Sequence, residues 1–168
     1  MTSYLLVVGD REALGWILTE SRTAFPSPGR SEVSALSPGD DLFLYTTRGA
    51  FRNPTRDRGR VIATAQVAGP VVCLDVPVRF GEREFPVGCA LSIEHLAPFG
   101  KGVELAPLVG ELDAFQSAGS AWSIVLRRPL VRLTGGDSGV LNAALAEVGA
   151  TAPTANLSAA YTCWYTPA

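Results

Sequence analysis

Apolar residues in this chain gather in short runs divided by Gly, Pro and charged turns, and most runs have the length and period of strands. Residues 4–8, YLLVV, are apolar without a break and end at Gly9 and Asp10. Such a run predicts a central strand covered on both faces. Asp10 then suits the N-cap of a helix in which Leu14, Ile17 and Leu18 share a face, with Trp16 beside it as packing. Residues 22–41 are irregular, cut by Pro26, Pro28, Gly29 and Pro38-Gly39, with room for one helical turn at 31–36.

Four strand-like runs follow, at residues 42–47, 60–67, 71–80 and 85–93. Gly81-Glu82-Arg83 reads as a tight turn between the last two, and Pro77 and Pro86 place them at an edge or at bulges. Strand after strand with no helix between them implies antiparallel pairing, in a sheet curled toward a barrel. Short helical pieces are expected at 103–109 and 112–116. Residues 121–126, AWSIVL, predict a further strand with Trp122, Ile124 and Leu126 on one face, resuming at 130–133 after Arg127-Arg128-Pro129. Asp137 is expected to cap a helix over 138–148, where Leu141, Leu145 and Val148 recur, with Gly149 as its C′ residue. Tyr161, Trp164 and Tyr165 predict that the tail, 150–168, docks as a strand. The pattern as a whole predicts an α+β fold in one domain spanning 1–168.

Composition narrows the function. A chain of 168 residues with 47% hydrophobic content can bury roughly two thirds of its unfolded surface without a metal or disulfide. A formal net charge of −2 argues against coating nucleic acid by bulk electrostatics, so any such binding is local. Lys101 is the one lysine, a bias expected of a GC-rich bacterial coding sequence. Cys73, Cys89 and Cys163 are scattered and His95 is alone, which predicts reduced, buried cysteines, a satisfied half-buried histidine and no cofactor. No signal-like start and no membrane-length apolar run appear, so the expected compartment is the cytoplasm.

Candidate chemistry concentrates between residues 48 and 58. Arg48, Arg52, Arg56 and Arg58 alternate there with Phe51, Asn53 and Asp57, in a connection longer than hairpin loops usually are. Guanidinium forks match phosphates and stack on bases, a phenyl ring offers a π-face, and Asn reads base edges. The alternative is a solvated loop in which Asp57 pairs with Arg56 or Arg58. Phe25 is either a lid on the core or an aromatic wall. Arg127-Arg128 either faces solvent or a carboxylate, or extends a basic surface. No dinucleotide-binding glycine fingerprint, phosphate loop or nucleophile elbow is present, and Asp40-Asp41 and Glu82/Glu84 read as turn residues. Binding is favoured over catalysis.

The order of motifs resembles the EVE family of the PUA-like superfamily, relatives of the YTH readers. Tyr4-Leu5-Leu6-Val7-Val8-Gly9 matches the family's Tyr-Trp-Leu-Val-Val-Gly opening, with Leu5 in place of its tryptophan. Gly39-Asp40, Leu44-Tyr45, Gly59-Arg60-Val61-Ile62, Pro129-Leu130 and the helix before Gly149 follow in order over about the first 150 residues. The resemblance implies a non-catalytic module with a pocket, at one end of a curled barrel, for a flipped or single-stranded, often modified base of DNA or RNA. It implies a ligand site at Gly9, Asp10, Arg22, Phe25, Tyr45, Thr46, Thr47, Arg48, Phe51 and Asn53, with phosphates meeting Arg52, Arg56 and Arg58. No tryptophan lies between Trp16 and Trp122, so an aromatic cage needs Phe25 and Phe51, or Phe80 and Phe85. Two alternatives stand beside this reading. One is a nucleotide- or nucleoside-processing enzyme of the ASCH type, whose lysine-containing signature is missing. The other is a protein-interaction domain using the aromatic tail.

Overall fold

The computed structural model describes residues 1–26, 31–53 and 57–167. Its strands are β1 (Ser3–Val8), β2 (Arg22–Phe25), β3 (Asp41–Thr46), β4 (Arg60–Val67), β5 (Val72–Phe80), β6 (Arg83–Leu96), β7 (Val103–Glu104) and β8 (Leu130–Leu133). Helices α1 (Arg11–Glu20), α2 (Ser31–Ala35), α3 (Gly135–Glu147) and α4 (Ala155–Thr162) flank them, with 3-10 segments at Ala106–Glu111 and Asp113–Arg127.

β1 lies between β3, to which it runs parallel, and β8, to which it runs antiparallel. The strands follow the order β2-β6-β4-β3-β1-β8, with β5 also on β6 and β7 also on β4. The long β6 curls the sheet: its first half carries β2 on one side and β5 on the other, and its second half crosses to β4. Register shifts at Leu44/Tyr45 and Thr64/Ala65 add to the bend, as bulges do. The result is an α+β half-barrel of mixed strands.

Alternation along β1, β3 and β4 divides the interior into two cores. Tyr4, Leu6, Val8, Leu42, Leu44 and Ile62 face α1, β2 and the tail. Leu5, Phe43, Tyr45 and Val61 face the 3-10 segments and α3. Asp137 fastens the second side. It is buried, and its carboxylate accepts from the N–H groups of Asp113 (2.6 Å), Ala114 (3.2 Å) and Thr134 (3.1 Å).

Several local expectations are overturned. Residues 121–126 are not a strand but part of the 3-10 run, because Trp122 packs edge-on to Phe115 at 6.0 Å and residues 130–133 already occupy the open edge of β1. The tail is helical rather than extended. Thr154 caps α4 by accepting from the N–H of Leu157, and Tyr161 donates its hydroxyl to the Ala97 carbonyl at 2.7 Å. Gly15 lets the tail close on α1, since a Cβ there would lie 2.6 Å from that of Tyr165. The start of the irregular stretch is a strand, because Ser21, at φ 50°, turns the chain back along β6. Asp137 is not the cap of α3 but the third-position partner in a capping box led by Thr134, a signal blurred by Gly135-Gly136. Cys73 and Cys163 are exposed, and only Cys89 of the three is buried. His95 is exposed too, with Nδ1 3.1 Å from the Thr64 hydroxyl.

Candidate functional site

A cleft of about 450 Å³ opens at the end of the half-barrel where β1 and β3 both finish. Parallel pairing brings those two ends side by side. Thr47 donates its N–H to the Val8 carbonyl at 3.1 Å, and Val7 donates to Pro129 at 3.0 Å. Those bonds gather three chain segments around the turn Gly9-Asp10. α1 forms one wall through Ala13, Trp16 and Ile17, and β2 supplies Thr23, Ala24 and Phe25, followed by Pro26. The hairpin between β5 and β6 closes a third side with Phe80, Arg83 and Phe85, and Leu126 to Pro129 close the fourth.

The walls are aromatic and braced. Gly81, at φ 63°, makes the turn that returns Phe85 beside Phe80, their centroids 5.6 Å apart. Phe80 meets Trp16 edge-on at 5.9 Å, so three rings form a continuous arc. Arg22 lies over Trp16 at 5.6 Å and Arg83 over Phe85 at 5.4 Å. Phe25, fully buried, floors the space from β2.

Polar groups at the cleft divide by sign and by availability. Asp10 caps α1, its Oδ1 accepting from the N–H groups of Glu12 (2.7 Å) and Ala13 (3.3 Å). Arg83, Arg127 and Arg128 supply positive charge, with Arg128 3.4 Å from Glu32. β2 ends the strand order, so among the described residues one edge of it has no neighbouring strand. Leu91 donates to the Ser21 carbonyl at 2.8 Å, which makes that opposed pair a bonded one. Alternation then turns the N–H and C=O of Ala24, one position out of phase with Thr23 and Phe25, away from β6, and Ala24 lines the cleft.

Of the residues singled out from sequence, the cleft gathers Gly9, Asp10, Phe25 and Thr47. Arg22 braces Trp16 from outside. Tyr45 faces the second core, where Gly59 has no room for a Cβ against its ring and burial raises its phenol pKa. Thr46 is buried, its hydroxyl bonded to the Arg60 carbonyl at 3.3 Å. Arg48, Arg52, Asn53 and Arg58 are exposed on the connection, and Arg56 lies outside the described residues. Phe51 turns to a different set of rings, Phe99 at 5.3 Å and Trp164 at 5.5 Å. Among the described residues, no ion pair joins Asp57 to Arg58; Asp57 Oδ2 is buried without a hydrogen-bond partner.

Sequence reasoning did not assign Trp16, Ala24, Arg83, Arg127 or Arg128 to the site. The available signal was the hairpin FGEREF, which sets two phenylalanines around a tight turn, and the arginine pair ahead of Pro129.

No family profile matches the sequence, and no curated protein matches it significantly. Solved structures do match in fold. Human THYN1, in a complex with DNA containing 5-methylcytosine, is 12% identical, with 86% of this chain and 98% of that chain covered and a TM-score of 0.53. The Mmi1 YTH domain in complex with RNA is 12% identical over 87% of this chain and 80% of that one, with a TM-score of 0.56. Rpa0253 from Rhodopseudomonas palustris is 12% identical over 88% and 95%, with a TM-score of 0.54. At these identities the likeness is one of fold, an α+β half-barrel flanked by helices. No helix among the described residues is long and apolar enough to cross a membrane.

Proposed function

We propose that this chain is a single, non-catalytic module that holds one base of a DNA or RNA strand in the cleft. The carrying observation is a cavity of about 450 Å³ walled by Trp16, Phe25, Phe80 and Phe85 and furnished with Arg83, Arg127 and Arg128. That volume falls in the usual range of small-ligand sites, roughly 300–1,000 Å³. In this reading the base stacks against the Trp16-Phe80-Phe85 arc, with Phe25 beneath it. The backbone edge at Ala24 pairs with the base's polar rim, and Gly9, Asp10 and Thr47 border it. The three cleft arginines meet flanking phosphates, and Arg52 and Arg58 extend that positive surface along the neighbouring connection.

Two matching folds support the choice of ligand: THYN1 was solved with DNA containing 5-methylcytosine and Mmi1 with RNA. Stacking contributes about 1–3 kcal/mol per base, and extrusion from a duplex costs a few kcal/mol. Single-stranded or already unpaired sites are therefore the preferred substrates.

The test is fluorescence anisotropy against single-stranded DNA and RNA, with plain, methylated and abasic central positions, at two salt concentrations. Phe85→Ala should abolish the preference for a base over an abasic site and leave the salt slope alone. Arg127→Ala and Arg128→Ala should each lower the slope by about one while keeping that preference. Equal binding of abasic and base-containing strands by the unaltered protein would sink the cleft assignment.

A further inference from the structure

Across the Gly9–Arg11 turn from the cleft lies a second group of rings, drawn from three distant parts of the chain. Phe51 comes from the arginine-rich connection, Phe99 from the turn after β6, and Tyr161 and Trp164 from the tail. Phe99 touches all the others, with centroids at 5.3 Å to Phe51, 5.2 Å to Tyr161 and 5.9 Å to Trp164. Tyr161 is buried and anchors the group, yet Phe99 remains 44% exposed, among the most exposed large apolar side chains of the described residues.

Cations adjoin this group. Arg11 lies 5.0 Å from the Trp164 ring. Arg52 follows Phe51 directly, in a left-handed conformation at φ 61° that a non-glycine residue adopts at some cost. Lys101 is exposed in the same turn as Phe99, its N–H donating to Pro98 at 2.9 Å. The connection is tied to the cleft's own turn as well, since Arg11 donates its N–H to Ala50 at 3.0 Å. Asp10 borders the cleft and Arg11, the next residue, meets the second group, so one step of backbone separates the two.

We propose that the Phe99–Trp164 face is a second stacking platform, occupied by a nucleotide further along the strand than the immediate neighbours of the one held in the cleft. This rests on the reading of the cleft as a base site. An exposed ring beside cations is the arrangement that holds single strands irrespective of sequence: the ring takes the base face and the cations take the phosphates. The platform makes the ligand a single strand several nucleotides long that crosses the Gly9–Arg11 turn, rather than a free base or mononucleotide. It also gives the tail a part in binding through Trp164.

The experiment compares fluorescein-labelled mixed-sequence single strands of three and nine nucleotides, in DNA and RNA arms, by anisotropy at low and high salt. The unaltered protein should bind the nine-mer more tightly than the three-mer. Phe99→Ala should weaken the nine-mer roughly ten-fold at both salts and leave the three-mer unchanged, whereas Phe85→Ala should weaken both lengths. Trp164→Phe should retain the gain with length and Trp164→Ala lose it. Thermal melting checks that the tail stays docked, and the exposed Phe99 variant carries the test if Trp164→Ala unfolds. Full nine-mer affinity in Phe99→Ala, or a loss seen at low salt alone, overturns the platform. Binding of three-mers with no gain in length overturns the platform and leaves the cleft standing. No binding of either length overturns both.

Discussion

The two faces of the sheet are built from alternate residues of the same strands, yet they end differently. On one face Leu5, Phe43, Tyr45 and Val61 meet α3 and the 3-10 run, and the space is filled. On the other, Tyr4, Leu6 and Val8 meet α1, β2 and the β5–β6 hairpin, and an aromatic cleft is left at the end of β1. Both sides are lined by buried apolar side chains. The coverings differ: the filled face is tied down by a buried carboxylate bonded to three backbone N–H groups, while the open one is bounded by a four-residue edge strand and a hairpin tip. A closed face stabilises; an incompletely covered one can hold a ligand.

The largest effect should separate the faces outright. Phe43→Ala removes a ring that is 2% exposed in the filled core and should cost about 3–5 kcal/mol in urea unfolding, leaving oligonucleotide affinity of the folded fraction intact. Asp137→Ala orphans three N–H groups on the same face. It should cost about 2–4 kcal/mol, again without altering binding, and a comparable fall in affinity would show that the two faces are coupled.

Next comes a pH effect on the open side. Burial pushes the Cys89 thiol, on β6 opposite Thr23, up to about 11 from an ordinary value of 9.0. Its folded pKa is raised, so the stabilisation it brings is fully present below pH 9 and is lost as pH rises toward 11. Two pKa units correspond to roughly 2–3 kcal/mol at the limit. Unfolding midpoints at pH 8 and pH 10 should therefore converge in Cys89→Ala relative to the unaltered chain; an unchanged difference would rule the thiol out. The smallest effect on stability belongs to the cleft itself: Phe85→Ala, on a half-buried ring at the hairpin, should cost only about 1 kcal/mol in urea unfolding. A loss as large as that of Phe43→Ala would make the cleft wall a core element and erase the contrast.

Much of the frame was legible because it rests on local signals. The apolar run 4–8, the Asp10 cap, the Gly81 turn and Gly149 after α3 (φ 83°) each carry their cause within a few residues. Residues 121–126 and the tail misled for a common reason: β-branched and aromatic side chains occur on any element, exposed as at Ile124 or buried as at Tyr161, and neighbours decide which element forms.

The candidate site was legible in kind more than in place. Phe25, Gly9, Asp10 and Thr47 adjoin predicted strand ends, and they meet in the cleft. Tyr45 and Thr46 precede Thr47 directly, but strand alternation and the bulge at Leu44/Tyr45 leave one in the opposite core and the other bonded to Arg60. Phe51 stood in the most conspicuous loop, and packing with the tail draws it to Phe99 and Trp164.

By itself the sequence determined an α+β chain of strand-rich order, where its turns and caps fall, and that its positive charge is arginine held in a few clusters. Only the tertiary structure decided which clusters matter together. The curl of β6 sets the hairpin FGEREF opposite Trp16, and the antiparallel pairing of β8 with β1 brings Arg127-Arg128 beside Gly9. Those neighbours lie from about 60 to 120 residues apart in the chain. Contacts at such separation follow from how the whole sheet bends, a property that no local stretch of sequence encodes.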